Sequence, residues 1–124
     1  MKEKALLILI PAALLIFSLP ASGDTGITGV WEGETYVPDY GQNKLTLEIT
    51  QEDGKYTAVI TDSAGYAVST PCDDFEYKEG KITFNFPAGG GQYVYIYLSV
   101  EGDTLEGFWE VDYGSGDITM KKKK

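Results

Sequence analysis

The chain has 124 residues, with ten basic and 19 acidic side chains and a formal net charge of −9 at pH 7. All ten basic residues are lysine, and an acidic chain without arginine is a poor match to a phosphate backbone, so nucleic acid is not an expected partner. The lack of histidine excludes His-dependent catalytic triads and the usual zinc sites, and the single cysteine, Cys72, excludes an intrachain disulfide. We expect neither a cofactor nor a metal ion, and a buried Cys72.

The N-terminal residues 1–23 have the three parts of a secretory signal peptide. Lys2 and Lys4 precede an apolar run over residues 5–19, and small residues follow up to Gly23. The alternative is a membrane anchor, but this run is interrupted by Pro11 and is shorter than the roughly 20 residues that span a bilayer. We therefore expect cleavage near Gly23 and a secreted or periplasmic mature domain without a stable membrane anchor.

Apolar and polar residues alternate with a period of two from residue 29 onward, which is typical of half-buried strands. The predicted strands cover residues 29–37, 43–52, 55–62, 72–78, 81–86, 92–101, 104–112 and 116–121. Short connections between them predict an all-β domain, an eight-stranded antiparallel up-and-down meander that closes, or nearly closes, into a barrel. This domain covers residues 29–121, between a flexible N-terminal segment, 24–28, and a basic tail, 122–124.

Three two-residue hairpin loops fix the predicted register. Each of them brings apolar residues of its two strands onto one face. The loops are Asp53-Gly54, Glu79-Gly80 and Gly102-Asp103. The predicted inward-facing set is Trp31, Leu45, Leu47, Ile49, Ile60, Phe75, Phe84, Ile96, Leu98, Leu105, Trp109 and Met120. Because an eight-stranded barrel has room for little more than its own side chains, this bulky set predicts a mostly filled core.

The other four connections share the opposite end of the barrel, because successive loops of a meander alternate between its ends. They cover residues 38–42, 63–71, 87–91 and 113–115 and are longer and richer in glycine. Binding residues concentrate on loops that a rigid scaffold positions. We expect a ligand at this open end, although the loops could merely connect strands. The candidate ligand-binding residues are Tyr40, Tyr66, Tyr113 and Trp109.

A row of aromatic residues is predicted on the outer face of the barrel. Tyr93, Tyr95 and Tyr97 alternate with the inward residues of their strand, and the register places Phe108 opposite Tyr97. We call these four residues the aromatic strip. Exposed aromatic side chains can stack on a sugar or an aromatic ligand. They can also be buried against a partner protein, which can be a second copy of the chain. The alternative is that they reflect only the high strand propensity of tyrosine.

The acidic residues are candidates for metal ligands or catalytic groups. In the predicted last hairpin, Asp112 faces Asp117, and facing carboxylates repel each other unless a cation lies between them. No carboxylate pair stands out from the sequence as an acid and base. We expect these side chains to be solvated.

The residues Gly26 to Trp31 open the first strand, and their Gly-x-Trp pattern resembles the calycin barrels, which are the lipocalins, fatty-acid-binding proteins and avidins. This resemblance implies a barrel whose last strand carries a basic residue across the tryptophan, and Lys121 stands at that place. Avidins have a biotin-binding Asn where this chain has Gly33, so biotin is not the implied ligand.

We therefore expect an exported, noncatalytic, lipocalin-like binding module that recognises a small or amphipathic ligand at its open end. One alternative is a protein-interaction module, an inhibitor or an oligomeric assembly subunit, that uses the aromatic strip. A second alternative is a carboxylate-based enzyme.

Overall fold

The computed structural model describes residues 26–123, which form nine β-strands. The strands are β1 (Gly29–Val37), β2 (Gly41–Glu52), β3 (Lys55–Asp62), β4 (Thr70–Pro71), β5 (Asp73–Lys78), β6 (Lys81–Pro87), β7 (Tyr93–Glu101), β8 (Thr104–Val111) and β9 (Gly114–Lys122). The signal peptide predicted for residues 1–23 lies outside the described residues. Within residues 26–123, no helix is long and apolar enough to cross a membrane.

The strands form one antiparallel sheet in the order β4-β3-β2-β1-β9-β8-β7-β6-β5. Because β1 pairs with both β2 and β9, the first and last strands lie side by side within the sheet. Its edge strands, β4 and β5, meet at a seam, where the amide of Cys72, the residue between them, donates to the Ala58 carbonyl oxygen of β3 at 2.9 Å. The predicted all-β, nearly closed up-and-down barrel is confirmed.

The ninth strand, β4, was predicted as part of a loop. It pairs with β3 over only two residues, Thr70 opposite Ile60 and Pro71 opposite Val59. Two residues are too few for a period-two pattern to be recognised. The long connection therefore returns along the edge of β3 before the chain enters β5.

The three tight turns have the predicted register. Leu47 lies opposite Ile60 in the first hairpin, and Ile96 lies opposite Trp109 in the third. In the second hairpin, an irregularity between Asp73 and Glu76 interrupts the pairing, and the predicted direct pairing of Phe75 with Phe84 is not formed. The two rings nevertheless stack, with centroids 5.8 Å apart. Asp74, at a φ of 52°, lies within this irregular stretch.

The predicted register of the last hairpin is wrong. Val111 pairs with Gly114, so the loop is Asp112-Tyr113, and Asp117 lies opposite Phe108 rather than Asp112. The prediction started β9 too late because glycines were assigned to the loop. Asp112 and Asp117 therefore do not form the facing carboxylate pair that was weighed as a cation site.

The filled part of the core lies at the tight-turn end of the barrel. Its largest fully buried side chains are Trp31, Ile27, Leu47, Ile49, Ile82, Leu105 and Met120. Ile27 belongs to the segment predicted to be flexible, yet it is 1% exposed, and its carbonyl oxygen accepts a hydrogen bond from Trp31 Nε1 at 2.9 Å. This bond anchors the chain N-terminal to β1 across the closed end.

The basic residue that crosses Trp31 is Lys122, not Lys121. Its Nζ lies 5.6 Å from the centroid of the Trp31 ring and donates to the Gly26 carbonyl oxygen at 2.9 Å. Strand alternation explains the shift of one residue: Met120 points inward, so Lys122 is on the same face and Lys121 is exposed. Lys122 is the last residue of β9, so this strand ends one residue later than predicted and includes the first residue of the predicted tail.

Candidate functional site

The barrel is hollow at its loop-bearing end, where a cavity of about 510 Å³ opens to solvent. The inward positions of β9 explain the space, since Gly114 and Gly116 stand at the open end and the larger Ile118 and Met120 follow toward the closed end. The volume lies within the range of about 300 to 1,000 Å³ that is usual for small-molecule sites. The expectation of a mostly filled core therefore holds only for the tight-turn half.

The inner wall of the cavity is mainly apolar. It is made by buried side chains from five strands: Leu45, Ile60, Phe86, Ile96 and Ile118. Each of them lies on the same inward face of its strand as the residues of the filled core. A wall of this kind favours the apolar part of a ligand, because burying apolar surface is favourable by roughly 25 cal/mol per Å².

The rim of the cavity is more polar and comes from the loops. Asp39, Tyr66 and Tyr113 belong to it and are exposed, and Gln92 lies immediately before β7. An apolar interior with a polar rim suits an amphipathic ligand whose polar part stays close to water.

Trp109 forms part of the wall and is held in place by two successive hydrogen bonds. Its Nε1 donates to the Thr35 hydroxyl at 2.8 Å, and the Thr35 hydroxyl donates to the Asp117 carbonyl oxygen at 2.5 Å. The ring lies against Gly116, where a Cβ would come within 2.7 Å of ring carbons. The indole is therefore fixed before any ligand arrives, which lowers the ordering cost of binding.

A second network holds the long loop between β3 and β4 over the cavity. Asn43, which is 3% exposed, donates from Nδ2 to Asp62 Oδ2 at 2.8 Å and accepts from the Ala64 amide at 3.0 Å. Asp62 Oδ1 accepts from the amides of Gly65 at 3.0 Å and Ala67 at 2.9 Å. These bonds satisfy two polar side chains of the cavity wall and fix the backbone that carries Tyr66.

Sequence reasoning missed Asn43, Asp62 and Thr35. A usable signal was present, because each stands at an inward-facing position of its strand, close to the strand end at the open mouth. A polar residue on an apolar face must be hydrogen-bonded, so it indicates either a loop anchor or a ligand contact.

The structure brings three of the four candidate ligand-binding residues together. Tyr66, Tyr113 and Trp109 line the cavity, and Tyr113 is 83% exposed at its mouth. Tyr40 is not among the wall residues; its hydroxyl donates to the Ser63 carbonyl oxygen at 3.3 Å. Tyr40 thus contacts the loop between β3 and β4 and does not face the cavity.

The aromatic strip lies on the outside of β7 and β8. Tyr93, Tyr95, Tyr97 and Phe108 are between 36% and 45% exposed. Tyr97 and Phe108 stack with ring centroids 4.9 Å apart. The strip is separate from the cavity, since its side chains point away from the barrel interior.

Cys72 is half-buried beside the seam. Burial, and to a smaller extent the nearby Asp73 carboxylate, raises the pKa of its thiol to about 12. The thiol is therefore protonated at neutral pH and is a poor nucleophile there. Across residues 26–123, no three Cys, Asp or Glu side chains come together as a metal-binding group.

Comparison with known proteins gives no relative: no family model matches the chain, and no curated protein or solved structure is significantly similar to it. The fold and the cavity are therefore the basis of the functional argument.

Proposed function

We propose that the chain is an exported, noncatalytic binding module that takes a small or amphipathic ligand into the open end of the barrel. The observation that carries the proposal is the cavity of about 510 Å³, with its buried apolar wall and exposed polar rim. Fixed polar groups support it further, because the Trp109 and Asp62 networks shape the wall in advance. Preorganised pockets of this size are typical of small-molecule sites.

We also propose that the barrel is calycin-like, as the Gly-x-Trp opening implies. Three features support this: Trp31 is buried at the closed end, β1 lies beside the last strand, and Lys122 crosses the indole ring. The lipocalin-like reading agrees with the position of the cavity at the opposite end.

Filling the cavity should prevent binding. Val94 is a half-buried wall residue on β7, and Val94→Trp would place a large side chain in the cavity. We expect the variant to bind a neutral apolar dye such as Nile red at least roughly tenfold more weakly than the wild type, which is about 1.4 kcal/mol of binding free energy. Fluorescence titration measures this loss.

The matched control is Val59→Trp, at a position that is 37% exposed on the outer face of β3. It adds the same side chain without filling the cavity, so dye binding should be unchanged. Equal dye affinity in Val94→Trp and the wild type would contradict binding inside the barrel.

A second candidate function is supported by the aromatic strip. Exposed aromatic side chains in a continuous row favour an interface with another protein or a second copy of the chain. In this function the chain acts as an inhibitor or an assembly subunit.

The double variant Tyr95→Ser with Tyr97→Ser tests this candidate. Because both side chains are largely exposed, we expect the free energy of unfolding to change by only about 0.5 kcal/mol for each. Size-exclusion chromatography with light scattering should show a smaller assembly than the wild type. Tyr36→Ser, at a position that is 66% exposed outside the strip, should leave the assembly unchanged. A monomeric wild type would argue against self-association through the strip.

A further inference from the structure

The charges of the cavity wall are all of one sign. Asp39 and Asp62 line it, and no lysine does. Asp62 is already bonded by the Asn43 amide and two backbone amides, whereas Asp39 stands exposed at the rim. An anionic ligand head would face a carboxylate and find no cation to replace its lost hydration.

Most lysines of the described residues lie far from the mouth of the cavity, so little positive charge is near it. In the part of the chain that the structure describes, the lysines of the tight-turn end are Lys55, Lys78, Lys81, Lys121, Lys122 and Lys123. Lys44 is nearer the mouth but exposed, opposite Glu34 in the β1–β2 register. Asp73, at the start of β5, and Asp112, in the last loop, add negative charge at the open end.

The aromatic side chains at the mouth also favour a positively charged ligand. Tyr66 and Tyr113 are exposed at the rim, and Trp109 lies in the wall beside them. The face of an aromatic ring attracts a cation, and this attraction is stronger where the pair is shielded from water. A positive head group at the mouth would therefore meet both aromatic faces and the Asp39 carboxylate.

We propose that the cavity takes a cationic amphiphile, with its alkyl or aryl body among the buried aliphatic side chains and its ammonium head at the rim beside Asp39. This inference rests on the proposed ligand-binding function and names the ligand class. The acidic open end also attracts such a ligand over a distance of about a Debye length, roughly 10 Å at 0.1 M salt.

Three probes with the same chain and different heads test the proposal: decyltrimethylammonium, decanol and decanoate. Isothermal titration calorimetry of the wild type at low salt should give an affinity for the ammonium at least about tenfold higher than for the carboxylate. Decanol should lie between them. Added salt should reduce the difference between the two ions and leave decanol unaffected.

The variant Asp39→Asn locates the head group. Asparagine tolerates the positive φ of 71° at this position, so the loop should keep its shape. We expect ammonium binding to weaken about threefold, since solvent screens the charge of an exposed carboxylate, while decanol binding stays the same. The matched control is Glu101→Gln, which removes one negative charge at the tight-turn end and should leave all three affinities unchanged.

The outcomes separate this inference from the function on which it rests. If decanol binds but decanoate binds as tightly as the ammonium, the ligand class is wrong and the binding function stands. If Glu101→Gln weakens ammonium binding as much as Asp39→Asn does, the head group is not at the rim. If none of the three probes binds, the proposed binding function is itself overturned.

Discussion

Gly107→Ala is expected to cost the domain about 3 kcal/mol of unfolding free energy or more, because overpacking at this site must displace backbone. Gly107 faces inward on β8, opposite Leu98 of β7. A Cβ built there would collide with the Tyr97 carbonyl oxygen and lie 2.8 Å from Leu98 Cα. Neither atom belongs to a flexible side chain, so the two strands would have to move apart. Urea unfolding followed by tryptophan fluorescence measures the loss.

The matched control is Gly114→Ala, another glycine at an inward position of a strand. A Cβ at Gly114 meets no atom within 4 Å, and its φ is not in the left-handed region. Its stability should change by within about 0.5 kcal/mol, or rise slightly because alanine restricts the unfolded chain. Equal unfolding curves for the two variants would mean that β7 and β8 are farther apart than the structure has them.

Trp31→Ala should cost about 3 to 5 kcal/mol, the usual range for truncating a buried large aromatic residue. Trp31 is 1% exposed, and its removal leaves a void in the filled half of the barrel and an unpaired Ile27 carbonyl oxygen. Lys122 would also lose the ring over which it lies. Chemical denaturation gives the value. Trp31→Phe should lose less stability than Trp31→Ala, and it provides the measurement if Trp31→Ala does not fold.

Trp109→Ala is the informative comparison for Trp31→Ala. Both tryptophans stand at inward positions, but Trp109 is only half-buried and borders a cavity that is open to water. Its deletion enlarges an existing solvated space, so the loss in unfolding free energy should be smaller. Equal losses for the two variants would contradict an open, solvated cavity beside Trp109.

Much of the fold could be predicted because its local signals agree with one another. Asp53-Gly54 and the two other tight turns fix the hairpin registers, and a wrong register would turn every apolar side chain to the other face. The last hairpin lacked this constraint, since the glycines at 114 and 116 fit a loop as well as a strand. Its register was consequently wrong, and so was the facing pair of Asp112 and Asp117.

The candidate site was predictable in its location but not in its construction. The alternation of loops between the two ends of a meander is enough to place Tyr66 and Tyr113 at the same mouth. The roles of Asn43 and Asp62 depend on a hydrogen-bond network with the loop between β3 and β4. No local sequence pattern encodes the position of that loop over the barrel, because it arises from contacts between distant parts of the chain.

Period-two alternation and turn chemistry act over a few residues, so they are enough to predict the all-β class, the tight-turn end and the inward face of most strands. That the barrel is filled at one end and hollow at the other emerges only from the three-dimensional fold. The space inside the barrel depends on the sizes of the inward side chains that different strands place at the same height along the barrel axis. Near the closed end Trp31, Leu105 and Met120 meet and fill the space, whereas near the mouth Gly114 and Gly116 leave the cavity open.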